Sequence, residues 1–340
     1  MRWIAARRRC SMSGSGRFSA GACIMSHRPR ILVVGCGAMG GIFAAHLAHV
    51  AEVAVLDTDA AHVAAMRRDG LRIEGGEDRA AALRAETGAA ALHGHVFDVI
   101  LFLVKSGHTA SALAELRPLL GNEPLLVTLQ NGMGNSEILE TGSHCKVLRG
   151  VVLDAGRYLG PGRVEHLIRG NTTWLGPTRG TVGDCAWLAD VLNAAGLPTR
   201  TLADPMDAVW SKLVFNSVMN PIGALLLGVN AARYGSPEIC ALIDDMAAEC
   251  TQVVRALGGR YAFDPLTLVK ETRAGLRPVT RHAGSMALDI ANGAATEIDE
   301  LTGYIVREGD RLKVPVPACR TVYRLVKGLE AARAWQLRQP

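Results

Sequence analysis

The chain has 340 residues, 49% hydrophobic and 20% charged, a balance that suits a globular protein with room for two domains. No apolar stretch reaches the roughly 18 residues that would span a bilayer, so insertion into a membrane is not expected. The formal charge of +5 is local: residues 1–24 hold Arg2, Arg7, Arg8, Arg9 and Arg17 with no acid, which leaves 32 basic against 32 acidic residues elsewhere. A neutral body gives no electrostatic ground for nucleic-acid binding.

That arginine-rich, serine-containing start suits a transit peptide, or an extension ahead of a true start at Met25. No apolar segment of a secretory signal is present, which favours the extension or a disordered tail, and residues 1–29 are set aside from the fold. The eight cysteines are dispersed, with no C-x-x-C pair and no metal-ligand spacing. Neither a disulfide framework nor a metal site is expected, and a reducing cytoplasm fits.

From Arg30 to about Leu202, strand and helix patterns alternate. Residues Ile31 to Gly41 spell ILVVGCGAMGG, an apolar run followed at once by Gly35-Cys36-Gly37-Ala38-Met39-Gly40, with Ile42 to Val50 helical behind it. This is a G-x-G-x-x-G turn in a strand-turn-helix setting. Gly35 permits the tight turn, Gly37 removes a side chain that would block a pyrophosphate, and Gly40 lets the helix pack on its strand. Phosphate charge then meets the free N–H groups and positive dipole of the helix start, so a nicotinamide or flavin dinucleotide is expected. Cys36 is either a reactive thiol or, more plainly, a small residue that fits.

Glu52 to Asp57 (EVAVLD), Asp98 to Val104 (DVILFLV) and Pro124 to Leu129 (PLLVTL) follow as strands. Continuous apolar runs of this kind suit a parallel sheet covered on both faces. Gly75 to Gly94 shows no assignable pattern. Beyond Lys146 short segments with turns such as Leu159-Gly160-Pro161-Gly162 suggest antiparallel strands that end the domain. Residues 30–203 are therefore expected to form an α/β, doubly wound, Rossmann-type dinucleotide-binding domain.

Residues 204–333 are helical almost throughout: Pro205 to Leu227, Ser236 to Leu257, Pro265 to Thr272, Gly284 to Ile290, Glu297 to Glu308 and Pro317 to Arg333. A junction near Leu197 to Asp204 puts a cleft between the two domains, a usual place for a substrate.

Asp57 ends the second strand, where an acid accepts hydrogen bonds from an adenine ribose and repels a 2′-phosphate, which favours NAD(H). Arg67 or Arg68 nearby leaves a phosphate open, and a plain solvated acid is the alternative. At about 100° per residue, Lys212, Asn216 and Asn220 stand about 40° apart on successive turns, a polar stripe on an otherwise apolar helix. Such a stripe is costly to bury without partners, which a carbonyl, hydroxyl or carboxylate of a substrate would supply. The alternative is a lysine that reaches solvent and asparagines that cap backbone. Lys105 and Asn131 each follow a strand at the carboxyl edge where ligands collect, although either suits a simple turn. Thr296 and Asp299 read as a capping pair that starts a helix, with Glu297 in its first turn.

Taken together, GCGAMG, Val104-Lys105, QNGMG at Gln130 to Gly134, KLVFNSVMNP at Lys212 to Pro221, and SM…TEID from Ser285 to Asp299 resemble the ketopantoate reductase family over Arg30 to Leu329. The resemblance implies NADPH-dependent reduction of 2-dehydropantoate to (R)-pantoate on the way to pantothenate and coenzyme A. It also implies a helical second domain similar to that of 6-phosphogluconate dehydrogenases. By position, Lys212 looks like the proton donor. Asn216, Asn220, Asn230 and Ser285 look like substrate contacts, and Asn131 serves nucleotide and substrate. Glu297 resembles the acid at the nicotinamide-side ribose, and Lys105 a further active-site lysine. No metal is required.

The family's usual arginine for a 2′-phosphate is replaced by Leu56-Asp57-Thr58-Asp59. An NAD-dependent D-2-hydroxy-acid dehydrogenase of the same family is therefore the second expectation, and a non-catalytic dinucleotide-sensing protein the third. The expected partner is a small 2-oxo acid, and a homodimer stays open.

Overall fold

The computed structural model describes residues 28–75, 78–279 and 283–336, so the arginine-rich start lies outside the described residues. β1 (Arg30–Val34) enters the glycine turn and α1 (Ala38–Leu47). Then come β2 (Glu52–Leu56), α2 (Ala60–Asp69), β3 (Leu71–Glu74), β4 (Arg79–Ala81), β5 (Arg84–Glu86), β6 (Val99–Phe102), α3 (Thr109–Leu116), β7 (Leu125–Thr128), α4 (Asn135–Gly142) and β8 (Val147–Val151). β9 (Ala155–Gly160), β10 (Arg163–Ile168) and β11 (Thr173–Arg179) precede α5 (Val182–Ala194) and β12 (Thr199–Thr201).

Six strands pair in parallel in the order β5-β2-β1-β6-β7-β8. β11 then joins antiparallel to β8 and carries β12 at the edge. This is the doubly wound order, and its reversal between β1 and β6 opens a crevice at the strands' carboxyl ends. The uninterrupted apolar runs are explained by burial on both faces. Ile31, Val33, Val55 and Leu101 pack with α1 on one side, while Leu32, Val34, Ile100 and Phe102 pack with Leu113 and Leu116 of α3 on the other.

The stretch without a pattern, Gly75 to Gly94, supplies β4, β5 and a short 3₁₀ turn. β5 is only three residues long and sits at the sheet edge, where Arg84 and Glu86 face solvent-side partners, so no apolar run marks it. The segments after Lys146 do form antiparallel strands, but they build a second sheet, β4-β3-β10-β9, rather than only ending the first. α1 lies between the two sheets and is buried from Gly40 to Leu47, which is why it is apolar all round. A β-carbon on Gly41 would stand 2.8 Å from Val164 Cγ1 of β10, so the second sheet needs this glycine for its approach.

The second body is helical: α6 (Met206–Leu225), α7 (Asn230–Gly235), α8 (Pro237–Ala256), α9 (Thr267–Arg273), α10 (Ser285–Asn292), α11 (Thr302–Leu312) and α12 (Pro317–Gln336). Leu213, Val214, Val218, Met219 and Ile222 of α6 pack into its core with α8, α11 and α12. Short α7 was missed because six residues carry too little periodicity to read.

The expected start of a helix at Thr296 is corrected. Thr296 gives its amide and hydroxyl to Glu330 Oε1, at 3.0 and 2.7 Å, and Asp299 accepts from Tyr323 Oη at 2.7 Å and Lys327 Nζ at 3.0 Å. Both polar side chains are engaged by α12, so α11 begins only at Thr302.

Pro221 sits inside α6 and has no amide hydrogen for the carbonyl of Ser217 one turn back. Thr302, fully buried, replaces it by donating Oγ1 to the Ser217 oxygen at 2.8 Å. Thr302→Val keeps the shape and leaves that carbonyl unsatisfied. It should lower unfolding free energy in urea by about 1–3 kcal/mol, whereas Pro221→Ala with Thr302→Val together should recover part of the loss.

Candidate active site

The glycine turn is held by close approaches. Gly35 has φ +86° and donates to the Leu56 oxygen at 2.8 Å, and a β-carbon on it would lie 2.7 Å from the Val104 nitrogen. A β-carbon on Gly40 would collide with the Gly35 carbonyl oxygen. Gly37, by contrast, has no atom within 4 Å of that position, and it opens the turn beneath the amino end of α1, where Ala38 and Met39 begin the helix. The open space at Gly37 beside the amino end of α1 fits a pyrophosphate.

Cys36 is fully buried with Sγ 3.5 Å from Met66 Sδ, and burial first, then Asp57, pushes its thiol far above its ordinary value. It is a packing residue and not a reactive thiol. His62 ties the turn to the second sheet: the Gly162 amide donates to its Nδ1 at 2.8 Å, so the proton is on Nε2, which donates to the Cys36 oxygen at 2.9 Å.

Asp57 accepts from the Cys36 amide at 2.6 Å and the Asp59 amide at 2.9 Å. Asp59 caps α2 through the Ala61 and His62 amides and accepts from Tyr158 Oη at 3.3 Å. The His62 amide is the largest cause that holds the Asp59 carboxyl below its usual range. The two arginines that left a phosphate open are engaged elsewhere: Arg67 pairs with Glu86 and donates to the Ala85 oxygen, and Arg68 pairs with Asp69.

Across the crevice stands the polar stripe of α6. Lys212 and Asn216 line a small cleft with Gln130, Asn131, Gly132, Arg149, Val151, Val209 and Leu213. Lys212 Nζ donates to the Val152 oxygen at 2.5 Å. Burial lowers its pKa to about 8, against the opposing pull of Glu297. Glu297 accepts from Asn131 Nδ2 at 3.4 Å, and burial raises its carboxyl, opposed by Asn131, Lys212 and Lys105. Lys105 Nζ pairs with Asp289 Oδ1 of α10 at 2.8 Å. Lys105, Asn131, Lys212 and Glu297 therefore belong to one electrostatic unit. Asn220 follows one turn on from Asn216, Asn230 opens α7, and Ser285 opens α10 as an exposed residue.

Two residues of this site were not anticipated. Arg149 of β8 is 2% exposed and clamps the loop that carries Asn131, donating to the Gly132 oxygen at 2.5 Å and Ser136 Oγ at 3.1 Å. Its sign in the sequence was a lone charge in the apolar run VLRGV. Asp289 lies four residues after Ser285, on the same face of α10, a spacing that would have singled it out.

A Rossmann-type sheet with an open phosphate cradle, facing a lysine–glutamate pair on a helical domain, defines a dinucleotide-dependent oxidoreductase. Comparison with known sequences narrows the class. The ketopantoate reductase PanE/ApbA family matches residues 31–180 and its C-terminal part matches 204–330, and the chain belongs to this family. The 2-dehydropantoate 2-reductase of Vibrio cholerae is 30% identical over 308 residues, covering 88% of this chain and 97% of that one. The one from Pyrococcus abyssi is 28% identical over 303 residues, 89% and 98% of the two chains. Among solved structures, a PanE/ApbA family ketopantoate reductase from Ralstonia eutropha superimposes with a TM-score of 0.79 at 32% identity, covering 90% of this chain and 99% of that one. D-mandelate dehydrogenase in ternary complex with NADH and anilino(oxo)acetate superimposes with a TM-score of 0.80 at 25% identity, with the same two coverages.

The glycines separate binding from folding. Gly37→Ala should leave the melting temperature of the ligand-free protein unchanged while weakening dinucleotide binding roughly tenfold or more in a fluorescence titration. Gly40→Ala should lower the melting temperature itself.

Proposed function

We propose that the chain reduces a 2-oxo acid to the matching 2-hydroxy acid with a reduced nicotinamide dinucleotide, with 2-dehydropantoate and (R)-pantoate as the leading pair. The observation that carries this reading is Lys212, a cleft lysine whose pKa is brought to about 8 beside Glu297. A protein that only senses dinucleotide has no use for such a proton donor.

Gly35 to Gly40 and the first turn of α1 hold the pyrophosphate, and Asp57 takes the adenine ribose. When bound, the reduced nicotinamide supplies the hydride that forms the new C–H bond at the ketone carbon. Lys212 stabilises the negative charge that gathers on the ketone oxygen as the C=O π bond breaks, then gives that oxygen its proton. Its Nζ recovers a proton from solvent. Asn131 and Glu297 orient the reacting end and Glu297 meets the nicotinamide-side ribose, while Lys105 closes the cofactor side. Asn216, Asn220, Asn230 and Ser285 supply amide and hydroxyl partners to the rest of the acid and fix the carbon near the hydride.

Asp57 with Asp59 favours NADH over NADPH, because two carboxylates stand where a 2′-phosphate would sit and Arg67 and Arg68 are paired elsewhere. The same feature, with the likeness to D-mandelate dehydrogenase and its NADH, supports a second reading as an NAD-linked D-2-hydroxy-acid dehydrogenase.

Lys212→Ala should cut kcat by about 10²- to 10⁴-fold with the native circular-dichroism spectrum kept; normal turnover would remove Lys212 from the mechanism. Because the lysine must be protonated to act as donor, reduction should be constant below its pKa of about 8 and fall as pH rises through it, while oxidation of the hydroxy acid rises over the same interval. Steady-state rates on 2-dehydropantoate and on a panel of 2-oxo acids, each with NADH and NADPH, separate the two readings. kcat/KM is expected to favour NADH, and Asp57→Ala should narrow that preference.

A further inference from the structure

We infer that α12, whose residues do not line the cleft, sets the position of Glu297 beside it, and that Glu330 and Tyr323 are thereby positioning residues of the reaction. The inference rests on the reading of Glu297 and Lys212 as the working pair of that cleft.

Glu297 lies between α10 and α11, in a stretch that forms neither helix nor strand. Two backbone bonds shape its turn: the Leu301 amide donates to the Glu297 oxygen at 3.1 Å, and the Gly303 amide to the Ile298 oxygen at 2.8 Å. They do not orient the turn against the helices around it. Ile298 supplies one anchor, fully buried in the helical core. An apolar anchor fixes depth more than direction, because the hydrophobic effect is non-directional.

Direction comes from the residues on either side. Thr296 gives its amide and hydroxyl to Glu330 Oε1 at 3.0 and 2.7 Å, and Asp299 accepts from Tyr323 Oη at 2.7 Å and Lys327 Nζ at 3.0 Å. Tyr323, Lys327 and Glu330, four and then three residues apart, share one face of α12. Lys327 is 41% exposed, so its pairs with Asp299 and Glu330 contribute little alone, which leaves Glu330 and Tyr323 as the main ties. A β-carbon on Gly303 would stand 3.0 Å from Tyr323 Cε2 and 3.1 Å from the Ile298 oxygen, so the tyrosine ring and the turn close on each other over a glycine.

With Thr296 on α12 and Ile298 in the core, the side chain between them meets Asn131 Nδ2 at 3.4 Å. The charges that act on Glu297 there belong to Lys212 of α6, Asp289 of α10 and Lys105 after β6. None belongs to α12, which therefore acts on the pair through position and not through charge. Glu297 strengthens the hold of Lys212 on its proton, so displacing the acid lowers the lysine further. Misplacing it also costs rate, because the reacting geometry is exacting.

The test follows the Lys212 titration by carbon NMR at its Cε in the cofactor-free protein, beside kcat with the preferred reduced cofactor. Glu330→Ala and Thr296→Val should each move the midpoint down from about 8, and cut kcat roughly tenfold. Glu330→Gln keeps an oxygen for Thr296 and should stay near the wild type, which separates the tie from the charge. Tyr323→Phe releases one oxygen of Asp299 and should shift the midpoint the same way by less. Arg320→Gln removes an α12 ion pair with Asp310, away from the turn, and should leave the midpoint in place. Glu297→Gln should lower the midpoint by itself, and adding Glu330→Ala to it should do no more.

A midpoint unmoved or raised in the folded Glu330→Ala, Thr296→Val and Tyr323→Phe variants would overturn the positioning role and leave the reductase reading in place. An equal fall in Arg320→Gln, or a further fall in the double variant, would do the same. The expected midpoints in a protein that reduces no 2-oxo acid would overturn the reductase reading and leave α12 as the seat of Glu297.

Discussion

The cleft is organised by the burial of one ammonium group. Lys212 leaves water for a site where, among the described residues, a carbonyl at 2.5 Å and the charge of Glu297 offset its lost hydration. Neither partner is local in sequence: the carbonyl belongs to Val152 in the loop after β8, and Glu297 precedes α11. This one side chain therefore touches both domains, and its charge reaches Glu297 beside Asn131. Glu297 has its own burial to offset, and it relies on Lys212, Asn131 and Lys105 in return. The result is a pair of ionisable groups displaced toward each other, a lysine lowered and a carboxyl raised, which is the condition for moving a proton near neutral pH.

Much of this was legible from residue order. The apolar runs before Gly35, Asp57, Lys105 and Asn131 become β1, β2, β6 and β7, because strands buried on both faces need no polar alternation. The stripe Lys212, Asn216, Asn220 was visible because a helix repeats its face every three to four residues, and α6 is long enough to show that repeat. Gly37 could be told from Gly40 by position in the turn alone, and a β-carbon would collide with the Gly35 carbonyl oxygen at Gly40 but meet nothing within 4 Å at Gly37.

What stayed hidden has a common cause. β5, the Thr296 and Asp299 contacts with α12, and the clamp of Arg149 on Gly132 all depend on partners far away in sequence. Thr296 and Asp299 carry the spacing of a helix cap, and a local rule assigns them one, but Glu330, Tyr323 and Lys327 offer them better partners. Arg149 is harder still. A buried arginine is improbable by composition, and the Gly132 carbonyl and Ser136 hydroxyl reveal why it is accommodated.

The second, four-stranded sheet has a consequence for recognition that its distance from the chemistry conceals. It presses on α1 through Val164 and reaches the glycine turn through His62, whose two nitrogens are both committed to backbone groups. Motion of the turn would therefore break contacts in three elements at once. The entropy of ordering the phosphate cradle is spent when the chain folds, and an arriving dinucleotide meets a surface already shaped to receive it.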